Sequence, residues 1–154
     1  MRRRIVFDTS TLIGAALRKG SVPYHALTLA AEDFEVCANE DLIRELRRVL
    51  LSAKFERYLP YADRVGFVEY FQSHSCMHNV LQERWDGTQP RCRDAKDDYL
   101  LLLALSVKAD TLVTSDEDLL VLNPWNNVAI LRSAEFLQRE SGRIQRDVSS
   151  VDLP

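Results

Sequence analysis

The sequence contains little cysteine, glycine or proline. Its 154 residues include three Cys, five Gly and five Pro. The cysteines, Cys37, Cys76 and Cys92, are odd in number and widely spaced, which indicates neither a disulfide framework nor a C-x-x-C metal or redox motif. We expect them to be buried thiols in a reducing compartment. The scarcity of Gly and Pro excludes a long flexible linker, so we expect one compact domain.

Long hydrophobic runs are also missing. No window approaches the ~18 consecutive apolar residues of a membrane span. The apolar stretch after Arg2, Arg3 and Arg4 is interrupted at Asp8 and is shorter than a signal peptide requires. We therefore expect a cytoplasmic protein.

An excess of positive charge is lacking as well. The net charge is −3 and the isoelectric point is about 5.6, which excludes a protein that coats nucleic acid through bulk positive potential. Any contact with nucleic acid must therefore be local. The candidate cations, each of which is more typical of a solvated surface, form three groups: Arg2 to Arg4; Arg44, Arg47 and Arg48 with Lys54 and Arg57; and Arg91, Arg93 and Lys96.

The hydrophobic pattern alternates short strands with helices. Apolar runs predict strands over 5–7, 34–38, 77–81, 111–114 and 128–131. Helical periodicity predicts a first helix that runs through residue 17, helices over 23–32, 61–73, 99–107 and 133–139, and a further helix that Asn39 caps and that runs to about residue 51. The hydroxyls of Thr9, Ser10 and Thr11 are the predicted caps of the first helix. The alternation is typical of a Rossmann-like α/β fold, with three α/β/α layers around a mostly parallel sheet of four to five strands. We expect this domain to span residues 1–138 and residues 139–154 to form a frayed polar tail.

Four acidic residues fall where such a fold binds ligands. Asp8 and Asp116 follow strands, and ligands bind beyond the carboxyl ends of parallel strands where the strand order reverses. Glu45 lies at the edge of the buried face of the third helix, and Asp97 precedes a buried helix. Each acid alone has a structural alternative as a turn, cap or surface residue. Together they would repel one another unless a cation intervened, and oxygen-only ligands favour Mg²⁺ or Mn²⁺ for phosphodiester hydrolysis.

Three motifs resemble the PIN-domain nucleases, in particular the VapC-like branch of toxin components in type II toxin–antitoxin systems. They are Ile5 to Ser10, Cys92 to Leu100 followed by Ala104, and Ala109 to Leu120, within a likeness that spans residues 4 to 137. The resemblance implies a ribonuclease in which Asp8, Asp97 and Asp116 hold Mg²⁺ or Mn²⁺ and Glu45 completes the site or positions water. It also implies a homodimer that a small antitoxin protein neutralises.

One departure from that family concerns the second residue after Asp8. PIN domains usually carry Asn there, and this chain carries Ser10, whose hydroxyl can orient a carboxylate or water with fewer donors than an amide. Further residues are expected to support the site as extra ligands or hydrogen-bond partners, or else to cap helices: Asp94, Asp98, Thr114 and Asp118.

Other functions are compatible with parts of this pattern. The chain could be an RNA-processing PIN nuclease that is not a toxin, or a catalytically silent PIN fold that serves as an interaction module, which Ser10 favours and the four acids oppose. A haloacid-dehalogenase-like phosphatase also begins with a strand ending in Asp, but it needs a second acid where Ser10 stands.

Two smaller features have structural explanations that we favour. His74 and His78 flank Cys76 with the i, i+4 spacing of a zinc pair on a helix, but no further ligands suggest themselves. Trp85 and Trp125 could stack on bases, although aromatic residues in an α/β domain usually pack in the core or at its rim.

Overall fold

The fold was analysed in a computed structural model, which describes residues 2–79 and 98–149. Its strands are β1 (Arg3–Phe7), β2 (Phe34–Ala38), β3 (Cys76–Met77), β4 (Thr111–Val113) and β5 (Ala129–Leu131). Its helices are α1 (Thr9–Leu17), α2 (Val22–Asp33), α3 (Glu40–Leu50), α4 (Tyr61–His74), α5 (Asp98–Ser106), α6 (Glu117–Leu120) and α7 (Ser133–Ser149).

The strands form one parallel sheet in the order β3-β2-β1-β4-β5. The helices flank this sheet, which confirms the predicted α/β architecture. Because β1 pairs with β2 on one side and with β4 on the other, the strand order reverses between β1 and β4. A ligand site in a sheet of this kind is expected beyond the carboxyl ends of those two strands.

Buried apolar residues stabilise β1 and β4, the two strands whose carboxyl ends adjoin the expected site. Ile5, Val6 and Phe7 of β1 are fully buried, as are Leu112 and Val113 of β4. Helix α5 packs against β1, and five of its consecutive residues, from Leu100 to Ala104, are buried. The prediction that the helix near residues 99–107 is buried is therefore confirmed.

Local capping explains where α3 begins but not where α1 begins. The side chain of Asn39 accepts a 2.9 Å hydrogen bond from the backbone N–H of Leu42, so Asn39 caps α3 as predicted. In α1 the N-cap residue is Asp8, which makes no side-chain cap bond. The predicted hydroxyl caps of α1 are therefore wrong, because Thr9, Ser10 and Thr11 lie inside the helix.

Two boundaries differ clearly from the prediction. Strand β3 comprises only Cys76–Met77, and residues 78 and 79 are not strand, whereas a strand over 77–81 was predicted. Helix α7 continues to Ser149, so residues 139–149 of the predicted frayed tail are helical. The reason is tertiary, since Glu140 is 4 % exposed and forms an ion pair with Arg3 of β1 at 2.8 Å. The domain boundary at residue 138 stays a prediction.

No helix within residues 2–79 and 98–149 is both long and apolar enough to cross a membrane.

Candidate functional site

Asp8 lies at the carboxyl end of β1, beside the carboxyl end of β4. Its backbone N–H donates a 2.9 Å hydrogen bond to the carbonyl of Val113, which continues the pairing of the two strands. Asp8 is 7 % exposed, and its Oδ2 accepts a 2.7 Å hydrogen bond from the hydroxyl of Thr114. A buried carboxylate therefore lies where the strand order reverses.

The pKa of Asp8 is raised above its ordinary value. Burial is the largest cause because it removes water from the charged form, and the negative charge of Asp116 acts in the same direction. Hydrogen bonds from Thr114 and from the backbone N–H groups of Thr9 and Ser10 lower this pKa but do not outweigh burial. A cation beside Asp8 would therefore stabilise its ionised form.

Thr114 connects Asp8 to Asp116. While its hydroxyl donates to Asp8, the same oxygen accepts a 3.0 Å hydrogen bond from the backbone N–H of Asp116. Thr114 is 1 % exposed, so water does not compete strongly for these bonds. The structure thus brings together one predicted supporting residue and two predicted acids.

Asp116 is the N-cap of the short helix α6. Its Oδ1 accepts a 2.9 Å hydrogen bond from the backbone N–H of Asp118, and the residue is half-buried. The structural alternative of a cap residue is therefore realised. The cap bond uses one carboxylate oxygen of Asp116. Because a carboxylate has two oxygens, the group can accept the cap bond and bind a cation at the same time. Asp118 takes part in this contact through its backbone.

Hydroxyl groups surround the two acids. The exposed side chain of Ser10 donates to Oδ2 of Asp8 over 3.4 Å and contacts the hydroxyl of Ser115 at 3.0 Å. The hydroxyls of Thr9 and Tyr99 lie 3.4 Å apart. Ser115 and Tyr99 were not predicted as site residues. Each is a polar residue next to a predicted acid, and that position was the signal that could have found them.

The contact between Thr9 and Tyr99 also locates the start of α5. Asp98 is the first residue of that helix and is half-buried. It directly precedes Tyr99, whose hydroxyl contacts Thr9 at the start of α1. The predicted ligand Asp97 and the predicted supporting residue Asp94 lie outside the described residues.

Glu45 is engaged elsewhere. Both of its carboxylate oxygens accept hydrogen bonds from the Arg48 guanidinium, at 2.7 and 3.1 Å, on the partly exposed side of α3. Helix α3 packs against α1, which begins directly after Asp8. Among the described residues 2–79 and 98–149, however, the carboxylate oxygens of Asp8, Glu45 and Asp116 do not all lie within 4.8 Å of one another. The catalytic role of Glu45 stays a prediction.

The candidate cations for nucleic-acid contact are mostly engaged within the fold. Arg2 donates to the backbone carbonyl of Glu32, Arg3 pairs with Glu140, and Arg4 pairs with Glu35. On α3, the exposed Arg44 and Arg48 pair with acids of their own helix, Asp41 and Glu45. The first of these groups is therefore structural, and the second is a solvated face. Residues 91, 93 and 96 lie outside the described part of the chain.

The donor atoms at the carboxyl ends of β1 and β4 fit a hard divalent cation. Carboxylate and hydroxyl oxygens are the groups that Mg²⁺ and Mn²⁺ prefer. The raised pKa of Asp8 shows that burial of its charge is not fully compensated by the hydrogen bonds around it. A bound cation would supply that compensation.

The fold is shared with solved structures of low sequence identity. PAE2754 from Pyrobaculum aerophilum is 16 % identical with a TM-score of 0.61, over 92 % of this chain and 99 % of that one. VapBC2 from Rickettsia felis, solved with a DNA fragment from the promoter of the pair, is 14 % identical with a TM-score of 0.54, over 82 % and 96 %. VapC20 from Mycobacterium tuberculosis, a sarcin-ricin loop cleaving toxin, is 12 % identical with a TM-score of 0.52, over 81 % and 98 %.

Sequence comparison assigns the family. No curated protein sequence matches this chain. The sequence model of the PIN domain matches residues 4–118, which include β1, β4 and the acids that follow both strands. The match covers most of the chain, and the protein therefore belongs to the PIN domain family.

Proposed function

We propose that the protein is a Mg²⁺- or Mn²⁺-dependent endoribonuclease that hydrolyses phosphodiester bonds of RNA. The observation that carries this proposal is the contact between Thr114, Asp8 and Asp116 at the reversal of the strand order. Membership of the PIN domain family supports it, because PIN domains are generally nucleases.

In this proposal Asp8 and Asp116 hold the ion, and Asp97, which lies outside the described residues, completes the set of ligands. When bound, the ion supplies a positive charge that activates water and neutralises charge on the phosphate. Thr114 keeps the Asp8 carboxylate in place by its 2.7 Å hydrogen bond. Because Thr114 and Asp8 are both buried, the position of this one proposed ligand does not depend on exposed side chains.

Glu45 would orient the attacking water. Its present partner is Arg48, and the side chains of the two residues are 36 % and 70 % exposed. Exposed ion pairs contribute only about 0–1 kcal/mol. Release of the Glu45 carboxylate toward bound RNA would therefore cost little.

The hydroxyl pair at the rim of the site would contact the substrate. Ser10 and Ser115 are exposed, and their oxygens lie 3.0 Å apart. Each hydroxyl can donate one hydrogen bond, and a phosphate oxygen accepts several. This pair would take over the donor role of the Asn that is usual in PIN domains at the position of Ser10.

We further propose that the protein is the toxin of a type II toxin–antitoxin pair. It would act in the cytoplasm as a homodimer that a small antitoxin protein neutralises. The fold that it shares with the VapC20 toxin and with VapBC2 supports this assignment. Expression of the chain should arrest cell growth, and this arrest should require Asp8. If the purified protein is an active ribonuclease but its expression leaves growth unimpaired, a processing nuclease is favoured.

The ribonuclease proposal is tested by incubating the full chain with single-stranded RNA. We expect cleavage that requires Mg²⁺ or Mn²⁺, stops on chelation, and falls at least ~100-fold in Asp8→Asn. The matched control is Asp110→Asn, because Asp110 lies at the opposite end of β4, where its Oδ2 accepts a 3.0 Å hydrogen bond from the backbone N–H of Arg4. Metal-independent cleavage, or equal cleavage by Asp8→Asn, would contradict the proposal.

A further inference from the structure

Four side chains that the nuclease site does not use share one face of the β2–β3 ladder. Cys37 of β2 is in register with Cys76 of β3, and the pairing continues as the backbone N–H of His78 donates a 2.8 Å hydrogen bond to the carbonyl of Ala38. Residues two apart in a strand point to the same face. Glu35 therefore lies on the side of Cys37, and His78 on the side of Cys76.

The ligand atoms on this face are close together. One ligand atom each from Glu35, Cys37 and His78 lie within 4.8 Å of one another, and this is the one such group of three or more in residues 2–79 and 98–149. The thiol of Cys76 lies outside this group of three but adjoins it, because the side chains of Cys76 and Glu35 interact. We call these four residues the edge cluster.

His78 supplies an independent sign that a ligand is missing. Its Nε2 atom is inaccessible to water and has no hydrogen-bond partner, and it is one of two such buried side-chain atoms in the described part of the chain. A buried polar atom without a partner costs free energy. A cation bound to the imidazole would satisfy it.

The charges around the edge cluster can balance. The guanidinium of Arg4 contacts Glu35 at 3.1 Å, and Arg4 is in register with Glu35 on β1. Two thiolates and one carboxylate carry three negative charges, which equal the charge of Arg4 plus that of a divalent cation.

We propose that Glu35, Cys37, Cys76 and His78 bind one Zn²⁺ ion. Sulfur and imidazole nitrogen are ligands that zinc prefers and that Mg²⁺ does not, so this site differs in chemistry from the carboxylates beyond β1 and β4. The two cysteines release their protons to solvent as the ion binds. The ion ties the two-residue strand β3 to the longer strand β2, and its role is structural.

The proposal is tested by adding Zn²⁺ or Co²⁺ to the metal-free full chain in the presence of a non-thiol reductant. We expect one ion retained per chain and, with Co²⁺, the absorption band of a thiolate-bound ion. Excess Zn²⁺ should raise the Tm by roughly 5–10 °C at about a hundredfold excess over the Kd. Absence of the cobalt band from the wild-type spectrum would overturn the proposal.

Two variants test proposed ligands, and two further variants are controls. His78→Ala and Cys76→Ser should lose the cobalt band and the Zn²⁺-dependent rise in Tm. Both residues are only partly buried, whereas Cys37 is fully buried and its substitution would disturb the core. The exposed His25 gives the matched control His25→Ala, which should keep both signals. Asp8→Asn should also keep them, and retention of the band in His78→Ala or its loss in Asp8→Asn would contradict the edge cluster as the site.

Discussion

The hydroxyl of Thr114 donates a 2.7 Å hydrogen bond to Oδ2 of Asp8, and this contact joins the carboxyl ends of β4 and β1. Both residues are buried, so the bond lies in a medium where polar contacts are strong and unmade ones are costly. The two strands are neighbours in space but more than a hundred residues apart in the chain. The site is therefore a product of the sheet order.

Thr114→Val tests the importance of this bond for stability. Valine keeps the shape of the side chain but removes both the bond to Asp8 and the acceptor for the N–H of Asp116. We expect the free energy of unfolding to fall by about 1–3 kcal/mol, measured by urea denaturation. Thr28→Val is the matched control, since its exposed hydroxyl donates to the Tyr24 carbonyl of its own helix. An equal loss of unfolding free energy in both variants would show that the buried Thr114 hydroxyl stabilises the fold no more than an exposed hydroxyl does.

The raised pKa of Asp8 predicts how stability depends on pH without divalent metal. Between the unfolded pKa near 3.8 and the raised folded value, the folded state binds more protons than the unfolded state. The contribution of Asp8 to stability is therefore complete at low pH and declines as pH rises through this window. The comparison variant is Asp8→Asn, which lacks this titration.

The free energy of unfolding of Asp8→Asn minus that of the wild type should therefore increase with pH above about 4 and then level off. Parallel curves measured by denaturation across the pH range would contradict the raised pKa. Saturating Mg²⁺ or Mn²⁺ should reduce the difference, because the cation stabilises the ionised form of Asp8.

The role of Glu45 is separable from its ion pair. Glu45→Gln should lower RNA cleavage at least ~10-fold if the carboxylate orients water, yet change the free energy of unfolding by less than about 1 kcal/mol because the pair with Arg48 is exposed. Asp41→Asn is the matched control, since Asp41 pairs with Arg44 at the same i, i+3 spacing on α3. Equal cleavage rates for the two variants would place Glu45 outside the reaction.

Helix α7 should be part of the folded domain rather than a tail. Glu140 is 4 % exposed and accepts two hydrogen bonds from Arg3, at 2.8 and 3.1 Å. Glu140→Ala should cost about 1–3 kcal/mol of unfolding free energy, as should truncation after Gln138. The exposed residue Glu69 gives the control Glu69→Ala, with an expected change within about 0.5 kcal/mol. If the truncated chain is as stable as the full chain, the predicted domain boundary at residue 138 is supported.

The sequence predicts the elements well because local signals set them. The observed end of α1 and both bounds of β2 match the predicted ones, and the cap of α3 by Asn39 was visible in the chain. The predicted end of α7 was wrong because the ion pair of Glu140 with Arg3 of β1 stabilises the longer helix. No local sequence pattern indicates that contact.

The site was predictable only in part for the same reason. Acids after strands indicate a ligand site, and the structure places Asp8 and Asp116 at adjacent strand ends. The bridging geometry of Thr114 depends on the register of β1 with β4. The edge cluster depends on the register of β2 with β3, and the i, i+4 spacing of His74 and His78 misleads because α4 ends at His74.

The central claim is that Asp8 and Asp116 hold a divalent cation, and the most direct measurement is the Tm with and without Mn²⁺ in wild type, Asp116→Asn and Asp110→Asn. Because a ligand that binds only the folded site stabilises it, we expect Mn²⁺ to raise the Tm of wild type and of Asp110→Asn, and to leave that of Asp116→Asn unchanged. An equal rise in Asp116→Asn, or no rise in wild type, would contradict the account.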